Sequence, residues 1–268
     1  MNGLIRFAAF LVVTSFATIA TAQEPQAEPR ERFTIMGGGG HRTLTDSSWV
    51  GSGGPTSMTD VKFAGSTGEL TGYAWITKNA FVKGSIERGS LTPDRMIFNG
   101  QGTDALRYQR HQALIGWAFT YGSIAGGVDQ VSFERNQAGP YSWSAWRTIT
   151  RTEMFGPVLE LNLGSTFGRF YVGEQFQYNP LMPGTFRLIS GQDGLAPSLD
   201  QVQSGHNWSA FELAIKSELE IYRGVGLTMK WDISRRSETD VDTFPGQEVN
   251  RQKDSQRFMV GAIYRFEK

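Results

Sequence analysis

Apolar and polar side chains alternate along most of the chain, and the alternation is clearest over residues 211–233. From 211 to 221 the odd positions are apolar except for Ser217, and the even positions are charged except for Ala214. From 225 to 233 the odd positions are apolar again. Because successive side chains of a strand point to opposite faces, a period of two predicts two β-strands, each with one apolar face.

These two segments predict a hairpin whose register can be checked by charge. A three-residue loop over 223–225 places Tyr222 opposite Gly226. In that register one face carries opposite charges and the other carries apolar pairs, as favourable cross-strand pairing requires. The predicted pairs are Glu218–Lys230, Lys216–Asp232, Glu212–Arg236, Ile221–Leu227, Leu219–Met229 and Ile215–Ile233.

Shorter alternating runs, separated by turn residues, fill the rest of the chain. The sequence predicts short turns at one end of the strands and longer polar loops at the other, over 46–66, 89–105, 136–148, 179–206 and 239–253. Strands of about a dozen residues in this layout are typical of membrane barrels. We therefore predict an all-β fold, a closed antiparallel up-and-down transmembrane β-barrel of about 10 strands, with 8 or 12 possible. A periplasmic β-sandwich is the alternative.

The N-terminus has the pattern of a secretory signal. Arg6 is the only charge before an apolar run over 7–19, and Ala20-Thr21-Ala22 supplies small residues for a cleavage site. A buried N-terminal helix is the alternative. After this run no apolar stretch reaches the length of a transmembrane helix, so membrane spans would have to be strands. The predicted organisation is a signal peptide over 1–22, a periplasmic linker over 23–32 and a barrel domain over 33–268.

Composition narrows the possible functions. The formal net charge is zero, with 26 basic and 26 acidic residues, whereas nucleic-acid binding requires a basic stripe. The chain has no cysteine, which removes disulfides, thiolate metal sites and thiol nucleophiles. We expect no nucleic-acid partner, no metal and no cofactor.

The last predicted strand ends with a glycine and two spaced aromatic residues, Gly261, Tyr264 and Phe266. These residues resemble the C-terminal signal of bacterial outer-membrane β-barrels, although Met259 and the trailing Glu267 depart from that pattern. The resemblance implies the outer membrane of a Gram-negative bacterium. It also implies three partners, which are outer-membrane lipid, lipopolysaccharide and the barrel-assembly machinery.

Two short strings suggest a narrower class. The residues 116–119 and 171–174 resemble segments of cellulose-biosynthesis accessory outer-membrane proteins, over a small part of the chain. Omptin proteases are ten-stranded barrels with a pair of acidic residues and an Asp–His pair at the rim, and no stretch of this chain matches those motifs. The subfamily therefore stays open.

The polar face of the hairpin predicts a charged barrel interior. This network could form a narrow pore for small solutes or ions, or it could simply fill the inside of a small barrel. The second interpretation is favoured, because barrels of about ten strands have little free space and mutual pairing makes buried charges tolerable. The predicted lumen residues are Glu212, Lys216, Glu218, Lys230, Asp232 and Arg236, joined by Lys83, Glu160, Arg169, Arg257 and Arg265.

The predicted loops carry the remaining candidates. Tyr141, Trp143 and Trp146 could bind a sugar or a partner protein, or fold onto the rim. His206 could form a hydrolytic site with Ser204 or Ser209 and Asp200 or Asp193, but no nucleophile motif accompanies it. We therefore predict a non-enzymatic barrel that binds a surface ligand or an envelope partner protein through its loops. The alternatives are a narrow pore and a rim hydrolase acting on lipid, lipopolysaccharide or peptide.

Overall fold

The computed structural model describes residues 31–51, 57–94, 103–141, 144–192, 195–238, 242–244 and 247–267. The predicted signal peptide and residues 23–30 of the predicted linker lie outside this part of the chain and stay predictions. Within it, no helix is long and apolar enough to cross a membrane. The described residues form strands and the turns that join them.

Ten antiparallel strands close into a barrel, as the sequence predicts. Each strand pairs with the next along the chain, and the last long strand closes the barrel by pairing with the first. A three-residue strand pairs only with the last strand and lies outside the ring of ten. The strands are β1 (Glu31–Gly51), β2 (Ser57–Trp75), β3 (Ala80–Pro93), β4 (Thr103–Phe119), β5 (Gly122–Tyr141), β6 (Ser144–Phe167), β7 (Phe170–Gln192), β8 (Leu199–Tyr222), β9 (Val225–Glu238), β10 (Asp242–Phe244) and β11 (Gln247–Glu267).

Most of the predicted long loops are strand. The segment 136–148 was expected to be a loop, but β5 continues to Tyr141 and β6 begins at Ser144. β6 and β8 have 24 residues each, whereas crossing a membrane takes only about 9–11 residues of a tilted strand. The strands therefore continue well beyond the bilayer on the side opposite the short turns, which is the extracellular side in this layout.

The predicted register of the β8–β9 hairpin is wrong by two residues. Arg223 and Gly224 form a two-residue turn with φ angles of 33° and 80°, and a bulge between Glu220 and Tyr222 precedes this turn. Left-handed φ at both central residues is the geometry that tight hairpins prefer. None of the six predicted pairs forms, and the observed pairs are Glu218–Thr228, Lys216–Lys230, Glu212–Ser234, Ala210–Arg236, Leu219–Leu227 and Ile215–Trp231. A shift of two leaves each residue on its predicted face.

An apolar belt surrounds the outside of the barrel. Leu70, Ile115, Leu159 and Met229 point outward and keep about half of their surface exposed. Such a surface is unfavourable in water and is the surface that membrane barrels present to lipid. Aromatic side chains border it, with Trp117, Phe119, Phe170, Tyr264 and Phe266 at the short-turn end and Phe155, Tyr178, Phe211 and Phe258 toward the other.

Glycines allow β1 and β11 to approach closely where the barrel closes. Gly38 lies opposite Gly261, and a Cβ atom on Gly261 would come within 2.3 Å of the Gly37 carbonyl oxygen. A Cβ atom on Gly40 would come within 1.9 Å of the Phe258 carbonyl oxygen. Gly261 therefore has a structural role in closure, and its role with Tyr264 and Phe266 as an assembly signal stays a prediction.

Candidate functional site

A layer of charged side chains fills the middle of the barrel. Arg110 on β4 lies at its centre, 2.8 Å from Asp129 and 2.5 Å from Glu212. Gln177 on β7 accepts a hydrogen bond from Arg110 at 2.7 Å. Lys83 and Glu160 form a further buried pair at 2.5 Å. Because each of these charges has a close opposite charge, the layer can stay ionised without water around it.

Arg257 on β11 joins three carboxylates from three other strands. Its guanidinium lies 2.6 Å from Asp232, 2.7 Å from Glu69 and 2.9 Å from Glu87. Glu87 also forms an ion pair with Arg42 at 2.5 Å. The side chain of Arg257 is only 1% exposed, so this arrangement is a cross-link through the interior rather than a surface cluster.

Two apolar clusters adjoin the charged layer. The smaller one lies near the short-turn end on one side of the barrel, where Leu114 and Ala125 lie directly beside Lys83 and Glu160 on neighbouring strands. It contains Phe81, Leu114, Ala125 and Val158, with Tyr73 and Trp75 against it. The upper one, toward the extracellular end, is larger and contains Leu44, Phe63, Leu91, Leu106, Tyr108, Val131, Phe133, Met154, Met182, Trp208 and Ala210. The interior therefore resembles the core of a soluble protein more than the lining of a channel.

Little space remains between the charged side chains. The cavity among Glu69, Glu87, Arg110, Lys230 and Arg257 has a volume of about 10 Å³. That volume holds about one water molecule. The ion-paired side chains that line this cavity therefore leave little room for water among them.

The six predicted lumen residues all lie on the inner face, but their partners differ from those predicted. Glu212 contacts Arg110, Asp232 contacts Arg257, and Glu218 contacts Arg265. Lys230 lies 3.5 Å from both Glu69 and Glu212 and 3.8 Å from Asp232. Arg169, also predicted in the lumen, lies in the exposed turn between β6 and β7.

Lys216 and Arg236 are exceptions in this network, because neither has a carboxylate within 4.0 Å among the described residues. Lys216 lies directly opposite Lys230. Arg236 is 2% exposed, bonds Ser234 at 3.3 Å and lies about 6 Å from the ring centres of Tyr108 and Phe133. Glu160 and Glu69 act on the charge of Lys216 only from beyond ion-pair distance, and Arg236 interacts with Glu212 in the same way.

Five interior residues of the network were missed by the sequence analysis: Arg42, Glu69, Glu87, Arg110 and Asp129. Each lies on the inner face of β1–β5 beside apolar inner residues such as Tyr108. Since both faces of these strands mix polar and apolar residues, their alternation is weak in the sequence. A comparison of the number of charged residues at inward positions of β1–β5 with the number at inward positions of β6–β11 could have indicated these five residues.

The extended strands form a wall at the extracellular end of the barrel, and we call the region inside this wall the vestibule. Trp146, one of the predicted binding residues, is half-buried on the inner side of this wall and donates a hydrogen bond to Ser190 at 2.8 Å. Phe186 lies on the same inner side of β7, with the Arg251 guanidinium 4.3 Å from its ring centre. Trp143 and the side chain of Tyr141 lie outside the described residues.

The predicted hydrolytic residues are not brought together. His206 points inward and lies 2.5 Å from Glu238 on β9. Ser204 pairs with Thr185 across a bulge at Gly205 and faces outward, and Ser209 also lies on the outward face. Asp200 is exposed and pairs with Arg187, whose hydrogen bonds lower the pKa of the Asp200 carboxyl. Asp193 lies outside the described residues.

No group of three His, Asp or Glu residues suited to a metal ion occurs in the part of the chain that the structure describes.

No known protein family and no curated protein matches this chain. The solved structures do give matches. The chain is similar to the outer membrane protease OmpT of Escherichia coli, with a TM-score of 0.58 and 12% identity over 92% of this chain and 99% of that chain.

The chain is also similar to two further solved structures. The translocator domain of the autotransporter NalP of Neisseria meningitidis has a TM-score of 0.49 and 11% identity, over 99% of this chain and 98% of that chain. The outer membrane protein OprG of Pseudomonas aeruginosa has a TM-score of 0.37 and 12% identity, over 91% of this chain and 100% of that chain. At these identities the likeness to OmpT establishes the fold alone.

This chain is an outer-membrane β-barrel. Its apolar belt and its two aromatic borders are what a location in the Gram-negative outer membrane requires. A shared fold does not imply a shared function, so the likeness to a protease leaves the particular role of this chain open.

Proposed function

We propose that this protein is a non-conducting outer-membrane barrel that binds a surface ligand or an envelope partner at its extracellular vestibule. The observation that supports it most is the filled interior. An ion would have to cross the upper apolar cluster and a charged layer whose cavity has a volume of about 10 Å³. Each of these barriers disfavours the alternative of a narrow pore.

The vestibule supplies the chemistry for binding. Trp146 and Phe186 offer aromatic faces on its inner wall, and Arg251 lies against one of them. Aromatic rings with a nearby cation and hydroxyl groups suit a sugar or a protein side chain. The hydrogen bond from Trp146 to Ser190 holds the ring in one orientation before any ligand arrives, which lowers the entropic cost of binding.

The lumen is tested by single-channel recording of the refolded protein in planar bilayers. We expect no steady conductance from samples that show heat-modifiable migration on a gel. Reproducible ion-selective steps that change on Lys230→Gln would overturn the non-conducting interpretation, because Lys230 lies in the charged layer.

Surface binding is tested by applying the barrel in nanodiscs to an oligosaccharide array and to intact envelope proteins. We expect capture that Trp146→Ala and Phe186→Ala each weaken. Trp117→Ala is the matched control, because Trp117 is an exposed tryptophan of the apolar belt and faces lipid. Equal capture by all three variants, or no capture by the unmodified protein, would count against the vestibule.

A further inference from the structure

The apolar belt is lower on one side of the barrel than on the other. On β3, β4 and β5 the unbroken run of outward apolar and glycine residues that begins at the short-turn end stops at Ile86, Ala113 and Val128. The next outward residues are Arg88, His111 and Gln130. On β6 the outward apolar residues continue to Phe155.

The height of the belt follows from the strand geometry. Arg88 comes eight residues after the start of β3 at Ala80, and Phe155 comes twelve residues before the end of β6 at Phe167. At about 3.3 Å per residue and a tilt near 40°, these positions lie roughly 20 Å and 30 Å above the short-turn end. Since the apolar band of such barrels is about 25 Å tall, Arg88 lies at or just inside its outer edge.

Arg88 differs from three of the other outward arginines, although Arg147 on β6 also lacks a carboxylate within 4.0 Å among the described residues and donates to Asn136 instead. Arg151, Arg187 and Arg235 each have a carboxylate within 3 Å, namely Glu153 at 2.9 Å, Asp200 at 2.7 Å and Asp254 at 2.8 Å. Arg88 is exposed and has no carboxylate within 4.0 Å among the described residues.

The surroundings of Arg88 leave room for a bulky anionic group. Gly68 lies directly beside it on β2 and has no side chain, and Gln109 lies beside it on β4. Two more basic residues share this face. His111 lies one outward position below Gln109, and Arg107 lies one above it, 4.0 Å from Glu134 and 75% exposed. The outer face of β3–β4 therefore carries excess positive charge at the level of the lipid headgroups.

We propose that the outer face of β3 and β4 binds a phosphorylated glycolipid of the outer leaflet, a lipid of the lipid A type, with Arg88 as the main phosphate contact. A guanidinium can bond two phosphate oxygens at once, and its long stem lets it reach upward from the edge of the belt. Arg107 and His111 add donors around the same headgroup, and the amides of Gln109 and Gln130 suit its sugar hydroxyls. The phosphate supplies the negative charge that Glu153, Asp200 and Asp254 provide at Arg151, Arg187 and Arg235.

The experiment measures retention of defined lipids by native mass spectrometry after exchange from detergent micelles. The probes are diphosphorylated lipid A, its dephosphorylated form and phosphatidylglycerol, and the variants are Arg88→Gln, Arg88→Lys and Arg88→Gln with Arg107→Gln. Arg235→Gln is the matched control, because it removes an outward arginine that already has a carboxylate partner. Each variant is first checked for heat-modifiable migration.

We expect lipid A to bind the unmodified protein about tenfold more tightly than it binds Arg88→Gln, which corresponds to the loss of one charge-assisted contact. Arg88→Lys should lie between them, the double variant should lose more, and Arg235→Gln should match the unmodified protein. Dephosphorylated lipid A should bind all variants equally weakly.

Three results would overturn the proposal. They are equal affinity of the unmodified protein and Arg88→Gln, equal binding of the phosphorylated and dephosphorylated lipids, and equal binding of phosphatidylglycerol, which would indicate a general preference for anionic lipid. A change of oligomer mass in Arg88→Gln without a change in lipid A binding would also overturn it, because the face would then be a protein interface.

Discussion

Lys216 on β8 lies directly opposite Lys230 on β9, with both ammonium groups inside the barrel. Like charges placed directly opposite each other in a sheet are destabilising. Lys230 compensates by reaching Glu69, Glu212 and Asp232, whereas Lys216 has no carboxylate within 4.0 Å among the described residues. The two lysines therefore occupy one cross-strand pair but have different energetic roles.

This difference predicts opposite effects of the same substitution. Lys216→Met should leave the free energy of unfolding unchanged or raise it, because it removes an uncompensated buried charge. Lys230→Met should lower it by about 1.5–3 kcal/mol, because three carboxylates lose a common cation. Urea unfolding in lipid vesicles, followed by tryptophan fluorescence, measures both. Equal losses for the two variants would contradict this assignment.

A second pair of interior cations should also behave differently. Arg257→Met should lower the free energy of unfolding by about 3–5 kcal/mol, because it leaves Asp232, Glu69 and Glu87 buried without their shared partner. Arg236→Met is the matched control, since Arg236 is equally buried but lies against Tyr108 and Phe133 rather than a carboxylate. We expect little change or a gain for Arg236→Met in the same urea titration, and a loss comparable to that of Arg257→Met would refute the distinction.

The sequence predicts the fold well where strands cross the membrane. Odd positions over 211–221, except Ser217, and over 225–233 are apolar because lipid contacts that face, so the period of two is strong and the barrel can be recognised. Above the membrane both faces of a strand can be polar. The sequence of residues 136–148 therefore predicts a loop, although β5 continues to Tyr141 and remains hydrogen-bonded to β6 from Ser144 onward.

The interior network was only partly predictable, for two physical reasons. Charge pairing alone favours Glu218 opposite Lys230, but the left-handed turn at Arg223 and Gly224 sets the register and places Thr228 there. Closing the barrel then brings distant strands together. Arg110 and Glu212 are 102 residues apart in the chain, and no local pattern in the sequence indicates that they meet.

The inside–outside assignment predicts a strong effect of charge on the lipid face. Met229 points outward, is 48% exposed and lies four residues after the start of β9, about 10 Å above the short-turn end and near the mid-depth of the belt. Met229→Arg should cost about 2–4 kcal/mol of folding free energy in lipid vesicles. Val225→Arg is the matched control at the short-turn border, where the same charge should cost about 0–1 kcal/mol. A small effect at Met229 would mean that this face does not contact lipid.

The β8–β9 turn predicts a specific requirement for glycine. Gly224 has a φ of 80°, and a Cβ atom there would come within 2.5 Å of the Arg265 carbonyl oxygen. Gly224→Ala should therefore lower the free energy of unfolding by at least about 1–2 kcal/mol. Gly84→Ala is the control, because the nearest atom to its Cβ would be 4.0 Å away. An equal effect of the two alanines would argue against the two-residue turn.

The register itself can be tested with cysteines, since the chain contains none. Leu219 faces Leu227 in the structure, whereas the charge-pairing register would place Leu219 opposite Met229. Directly opposite Cβ atoms lie about 4.5–5.5 Å apart, and diagonal neighbours lie about 7–8 Å apart, which is too far for a disulfide without backbone movement. Leu219→Cys with Leu227→Cys should therefore cross-link in the folded barrel on mild oxidation, as a mobility shift on a denaturing gel. Leu219→Cys with Met229→Cys should stay reduced, and the reverse outcome would mean that the charge pairs, and not the turn, set the hairpin.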